Sequence, residues 1–178
     1  MTGGRREPIP IDNEPTGRRL WISHAVVRAT QLLLRSYGEG EHEGIVYWGG
    51  IECEQGSVVM SALSPVATTS FGSFVTDSDA NFEVVKALRA SQLTLVGQVH
   101  SHPGRWVDHS DGDDEGAFVR FDGFWSVVVP TYAREELVSL SKCGVHLFQE
   151  GIFRRLGDDA VAGRVHLVRD VVDLRGPE

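Results

Sequence analysis

The chain has 178 residues, 41% hydrophobic and 24% charged, which is one domain's worth of sequence with enough apolar material for a core. A net charge of −8 argues against duplex nucleic acid as a partner, and no apolar run approaches the roughly 20 residues that span a bilayer, so no membrane partner is expected. Two cysteines, Cys53 and Cys143, with no C-x-x-C spacing, suit a reducing cytoplasm and exclude a cysteine-built zinc site; a disulfide between them stays open.

Residues 1–19 are rich in proline, glycine and charge, lack the apolar stretch of a secretory signal, and are expected to lie loosely on the surface ahead of a single domain over 20–178. Apolar residues at 22, 26, 27, 33 and 34 predict a helix over 22–37 with Ser23 as a possible cap. "GEGEHEG" interrupts it. "GIVYWGG" (44–50) reads as a buried strand and "SVVMSALSP" (57–65) as its hairpin partner. An amphipathic helix follows over 77–91, then a central strand, "LTLVGQVHSHP", and a short helix opened by "SDGDDEG". "GFWSVVVP" (123–130) is a buried strand, and 143–156 and 164–174 read as late strands with a turn between them. Helix, strand pair, helix, strand, short helix and further strands make a mixed α/β layer fold, with helices on a largely antiparallel sheet. The repeated strand–helix alternation of a doubly wound fold is missing.

The chemistry concentrates where the central strand ends, at "QVHSHPGRWVDHSDGDD". Alternation sends residues i and i+2 of a strand to one face, so His100 and His102 lie side by side before Pro103 and Gly104 stop the strand. Paired histidines at a strand end can simply be hydrogen-bonded to their surroundings; they can equally be half of a metal site. Ser110 follows His102 after seven residues, and Asp113 follows Ser110 after two. Ser-x-x-Asp is a capping-box pattern, and the first helical turn aims Asp113 back at the strand end. Two neutral imidazoles and a carboxylate are a donor set for zinc that leaves a fourth position for water. Asp108, Asp111 and Asp114 are rivals that spacing does not exclude. A water-activating site also needs a proton acceptor. Glu41 and Glu43 stand just before the 44–50 strand, two apart, so periodicity does not separate them, and both could be plain solvated carboxylates.

The string "HSHPGRWVDHSDGD" resembles the signature of the JAMM metallopeptidases, also called MPN-plus or JAB domains: an upstream Glu, His-x-His, seven residues, Ser, two residues, Asp. The resemblance covers roughly 20–155 by element order. It implies a cytidine-deaminase-like α/β/α domain with a mixed, largely antiparallel sheet. It implies zinc held by His100, His102 and Asp113, with Ser110 stabilising the tetrahedral oxyanion. The upstream Glu of the family opens a buried strand that ends in glycine, typically seven positions on, which favours Glu43 as general base, with Glu41 as the rival. The bond cleaved would be an amide or isopeptide after the C-terminal glycine of a ubiquitin-like protein or sulfur carrier, whose tail would bind extended as an added strand. The shortness of the chain resembles compact prokaryotic members, which are often associated with ubiquitin-like conjugation, including antiphage systems with E1-like and E2-like enzymes. Two other readings stay beside this one: a sulfur-carrier peptidase, and a non-catalytic MPN-type scaffold that keeps its ligands without turnover.

Trp106, between the two halves of the motif, could shield the site or contact the substrate tail, although packing is the commoner fate of a tryptophan. His109 could support the site, although an exposed loop histidine is the more ordinary expectation. Trp48 and Trp125 are expected in the core. Ser101 would face away from the two histidines, and with no G-x-S-x-G turn a serine hydrolase is disfavoured. A zinc deaminase is disfavoured too, because the H-x-E and P-C-x-x-C pairs are absent.

Overall fold

A computed structural model describes residues 10–169. In chain order it contains β1 (Ile11–Asp12), β2 (Arg19–Ser23), α1 (His24–Gly38), β3 (Ile45–Cys53), β4 (Gly56–Leu63), β5 (Thr68–Ser70), β6 (Ser73–Val75), α2 (Ser78–Ala90), β7 (Thr94–Ser101), α3 (Asp111–Gly116), β8 (Trp125–Val129), β9 (Gly144–Gln149), β10 (Ile152–Leu156), α4 (Asp158–Arg164) and β11 (Val165–Val168). Nine strands form one mixed sheet in the order β1-β10-β9-β8-β7-β3-β4-β2-β11, and β5 pairs with β6 in a separate hairpin. The longest ladders, β3 with β4 and β3 with β7, are antiparallel, while β7 runs parallel to β8. The strand that carries the two histidines, β7, is the middle one of the nine.

Helices cover both faces of the sheet, which is why β3 begins as an unbroken buried run rather than an alternating one. Val46 and Trp48 point into the larger core with Val26, Val27 and Leu34 of α1. Ile45 and Tyr47 point the other way, against Val84 and Leu88 of α2. Both indoles satisfy their N–H inside the core, Trp48 on Thr30 Oγ1 (2.9 Å) and Trp125 on Ser57 Oγ (3.1 Å). Ser23 caps α1 by accepting the Val26 N–H, and Asp77 caps α2 by accepting that of Ala80. No helix among the described residues is long and apolar enough to cross a membrane.

The structure departs from the sequence reading at both edges of the sheet. Of the segment expected to lie loosely, residues 1–9 fall outside the described residues, but Ile11 and Asp12 pair in parallel with Arg155 and Leu156 of β10. Asp12 is held further by the buried guanidinium of Arg164 at 2.7 Å, so a long-range ion pair fixes a stretch whose local composition signals a loop. At the other edge, β2 pairs in parallel with β4 and β11, burying Leu20 and Ile22 completely. The connection between the late strands is α4. The last expected strand is seen over Val165–Val168, and its continuation through 174 lies outside the described residues.

Candidate metal centre

His100 leaves the end of β7 directly opposite Ile45 of β3, and paired residues of a ladder share a face, so it projects on the α2 side of the sheet. His102 follows on the same side, and the two Nε2 atoms lie 3.1 Å apart. Asp113 completes the group. Its Oδ1 is 3.3 Å from His100 Nε2 and its Oδ2 is 3.4 Å from His102 Nε2. Among the described residues these three side chains, all buried, form the one group of histidine, cysteine or carboxylate donors close enough together to share a metal ion. Asp108 is turned into an ion pair with Arg155 (2.8 Å), Asp114 bonds His109 (2.7 Å), and Asp111 is outside the group.

The capping box fixes Asp113. Ser110 Oγ accepts the Asp113 N–H (3.1 Å), while Asp113 Oδ2 accepts from the Ser110 N–H (2.6 Å) and hydroxyl (2.8 Å). With Oδ2 so occupied, Oδ1 is the carboxylate oxygen left to face outward. On the histidine side, His102 Nδ1–H donates to the Trp106 carbonyl at 3.0 Å, which fixes the ring with Nε2 toward Asp113. Two imidazole nitrogens and one carboxylate oxygen, converging at the end of a rigid strand and the first turn of a helix, fit a divalent transition metal held by three protein ligands.

The electrostatics of His100 and Asp113 match that use. Full burial holds His100 down at about 4, so its ring is neutral at physiological pH and its Nε2 can donate a lone pair. Burial pulls His102 down as well, but the hydrogen bond and charge of Asp113, with help from Glu43 and the Trp106 carbonyl, outweigh it and leave the group raised. For Asp113 burial works upward, yet the hydrogen bonds of His100 and His102 and the Ser110 backbone hold the carboxyl well below the usual range. It is therefore ionised at any working pH.

A cleft of about 390 Å³ opens on this group and is lined by Glu43, Gly72, His102, Trp106, Ser110 and Asp113 among others. Glu43 is 5% exposed and its N–H is fixed on the Ser70 carbonyl at 2.8 Å. Burial lifts its carboxyl to about 7, with His102 pulling it down and Asp113 pushing it up. Glu41 is placed quite differently. It sits at φ +56°, is exposed, and reaches Arg134 at 3.5 Å. Ser101 faces away from the cleft and accepts the Gly44 N–H at 3.0 Å. A larger depression, about 550 Å³, lies between α2 and the β4 exit at Leu63, Pro65 and Val84, and none of the three converging donors lines it.

Trp106 is 54% exposed and stacks on His102, with ring centroids 5.1 Å apart and planes within 16°. It is thus a wall of the cleft and not core packing. His109 corrects the expectation of an exposed loop residue: it is fully buried, stacked on His146 at 4.0 Å and edged by Phe153 at 4.7 Å. The loop that carries it presses onto the sheet because β9 starts at Gly144, where a Cβ would come within 1.8 Å of the Val107 carbonyl. A feature without a local signal follows β8. Thr131, Tyr132 and Ala133 form a left-handed turn with φ of +54°, +53° and +56°, a costly conformation for three residues that are not glycine. The turn donates the Thr131 N–H to Gly104 and the Tyr132 N–H to the His102 carbonyl, and the Tyr132 hydroxyl donates to the Phe71 carbonyl at 2.7 Å. It straps the His102 loop to the β5–β6 hairpin.

Residues 26–141 match the family described as prokaryotic homologs of the JAB domain. The chain is similar, at 34% identity over 122 residues, to the "Probable metalloprotease y4jG" of Sinorhizobium fredii (strain NBRC 101917 / NGR234), covering 66% of this chain and 75% of that one. Its fold is similar to the solution structure of protein DSY2949 from Desulfitobacterium hafniense, with a TM-score of 0.65 at 15% identity over 85% of this chain and 94% of the other.

Proposed function

This chain belongs to the family of prokaryotic homologs of the JAB domain, and on that premise we propose that it is a zinc-dependent peptidase that cuts the amide or isopeptide bond after the C-terminal glycine of a small ubiquitin-like protein. The observation that carries the reading is the convergence of His100, His102 and Asp113, the last two of which line a cleft together with Glu43 and Ser110.

His100 Nε2, His102 Nε2 and Asp113 Oδ1 would hold the metal. Zinc so bound supplies Lewis acidity toward the substrate carbonyl and toward water. Glu43 takes the proton of the attacking water on its carboxylate and returns it to the leaving nitrogen. A carboxyl lifted to about 7 suits both halves of that task near neutral pH. Ser110 stands at the helix N-cap beside Asp113, and its hydroxyl turns from Asp113 Oδ2 to the oxyanion as charge develops there.

The occupant is argued from the walls of the cleft. Among the described strands β6 pairs only with β5, so its outer edge is open to an extended peptide, and the hairpin tip at Gly72 lines the cleft. Trp106, His102 and Asp113 line the same cleft as the hairpin tip, so a strand added at that edge would have its end near them. Residues without side chains pass such a passage most easily, which favours a glycine-ended tail. Both cysteines are free, Cys53 exposed and Cys143 buried, which supports a reducing, cytoplasmic setting.

The test uses a ubiquitin-like protein of β-grasp fold ending in Gly-Gly and fused through that tail to a reporter. Cleavage after the second glycine is expected, with loss on chelation and return on adding zinc. Cleavage that survives complete metal removal would overturn the zinc reading. Zinc binding without turnover of any such fusion or conjugate would leave a scaffold in place of an enzyme.

A further inference from the structure

A buried hydrogen-bonded chain runs behind the metal ligands. Asp114 Oδ1 lies 2.7 Å from His109 Nδ1, His109 Nε2 lies 2.9 Å from Ser126 Oγ, and Gln98 Nε2 donates to the same Ser126 Oγ at 3.3 Å. The ends of this chain are placed tellingly. Asp114 is the residue after Asp113 on α3. Gln98 stands two residues before His100 on β7 and is the register partner of Ser126 on β8. The chain therefore ties the helix that carries the carboxylate ligand to the strand that carries the histidine ligands.

We propose that His109 is a positioning residue for the metal centre, bracing the first turn of α3, and Asp113 with it, against β8 and β7. The inference rests on the metal reading of His100, His102 and Asp113. A helix of six residues does not hold its own geometry in water, and the capping box between Ser110 and Asp113 is a tie internal to that turn. Something must fix the turn relative to the sheet. His109 reaches across, and its ring has no room to turn away: it lies on His146 at 4.0 Å, against Phe153 at 4.7 Å and beside His100 at 5.7 Å.

The proton arrangement is consistent along the whole chain. The Asp114 carboxylate oxygen accepts from Nδ1–H; in that tautomer Nε2 accepts the Ser126 hydroxyl proton, and the Ser126 oxygen accepts from Gln98. The order carboxylate, imidazole, hydroxyl is that of a hydrolytic triad. Ser126, however, is fully buried within β8 and does not line the cleft, so no substrate carbonyl reaches it. The part it plays is mechanical.

The experiment measures the zinc dissociation constant by competition with a chromogenic chelator, together with the visible spectrum of the Co²⁺-substituted protein. It compares the wild type with Asp114→Ala, Asp114→Asn and His109→Leu. Asp114 is one-third exposed, so its truncation does not empty the core. Asp114→Ala and His109→Leu are expected to weaken zinc binding about 10–100-fold and to change the Co²⁺ bands. Asp114→Asn still accepts from Nδ1–H and should stay within about threefold of the wild type with an unchanged spectrum. Wild-type affinity and spectrum in Asp114→Ala would overturn the proposal. So would an equal loss in Asp114→Asn and Asp114→Ala, which would assign the effect to charge near the cation. If His109→Leu does not fold, the Asp114 pair alone decides. A wild type that binds no zinc would refute the metal reading itself, whereas tight zinc binding that the variants share refutes only the brace.

Discussion

Ser110 and Asp113 hold each other from both sides: the serine Oγ accepts the aspartate N–H at 3.1 Å, and the aspartate Oδ2 accepts the serine N–H at 2.6 Å and hydroxyl at 2.8 Å. One pair of residues thus caps α3 and aims the Asp113 carboxylate at the histidines. Ser110→Ala should therefore have two effects in one variant. Loss of the cap is expected to cost about 1 kcal/mol of stability in the metal-free protein. Loss of the hydroxyl from the oxyanion is expected to lower kcat on the order of 10²-fold. Denaturant unfolding and steady-state kinetics read the two separately, and a variant that loses stability while keeping kcat would remove Ser110 from the chemistry.

The two upstream glutamates are separated by their surroundings. Glu43 is buried in the cleft, whereas Glu41 is exposed and reaches a solvated Arg134 at 3.5 Å. Glu43→Gln keeps size and hydrogen bonding but cannot accept a proton at neutral pH. It is expected to reduce kcat by about 10²–10⁴-fold with zinc content unchanged. Glu41→Gln should remain close to wild type, since exposed ion pairs contribute little. A dead Glu41→Gln beside an active Glu43→Gln would reverse the assignment.

Glu43 also makes the stability of the metal-free protein depend on pH. Burial raises its carboxyl from 4.5 to about 7, so between those values the folded state binds more protons than the unfolded one. The stability linked to the protonated carboxyl is complete below pH 4.5 and is lost as pH rises through 7. His100, depressed from 6.5 to about 4, acts in the opposite sense, gaining stability as pH rises over that interval, but it is common to wild type and variant. Glu43→Gln removes the first effect and, with it, the support that the Glu43 charge gives to the raised His102. Metal-free Glu43→Gln is expected to match the wild type near pH 4.5 and to exceed it by on the order of 2 kcal/mol above pH 7. Urea unfolding across this range checks it; a difference that does not change with pH would show that Glu43 does not titrate as a buried carboxyl.

Much of the site could be read from the chain because it is local. His100 and His102 share a strand, and Ser110 and Asp113 share one helical turn, so two short-range periodicities bring four groups together. Choosing Asp113 over Asp108 and Asp114 needed long-range partners: Arg155 lies in β10, and His109 becomes a partner only once β9 and β10 bury it. The expectation of an exposed His109 failed for that reason, since His146 and Phe153 are distant in sequence. Strand alternation could not rank Glu41 and Glu43. The backbone at Glu41 is left-handed, so the extended periodicity does not reach back to it. The same holds for β1 and β2, short segments made into strands by partners more than thirty residues away, and for the Thr131–Ala133 turn, which has no glycine to announce it.

The most direct test of the account is the metal content of the purified protein, measured by elemental analysis for the wild type and for a variant with His100, His102 and Asp113 all replaced by alanine. The account predicts one zinc per chain in the wild type and none in the variant. Zinc retained at full stoichiometry by the triple variant, or absent from a wild-type protein that still cleaves its substrate, would contradict it.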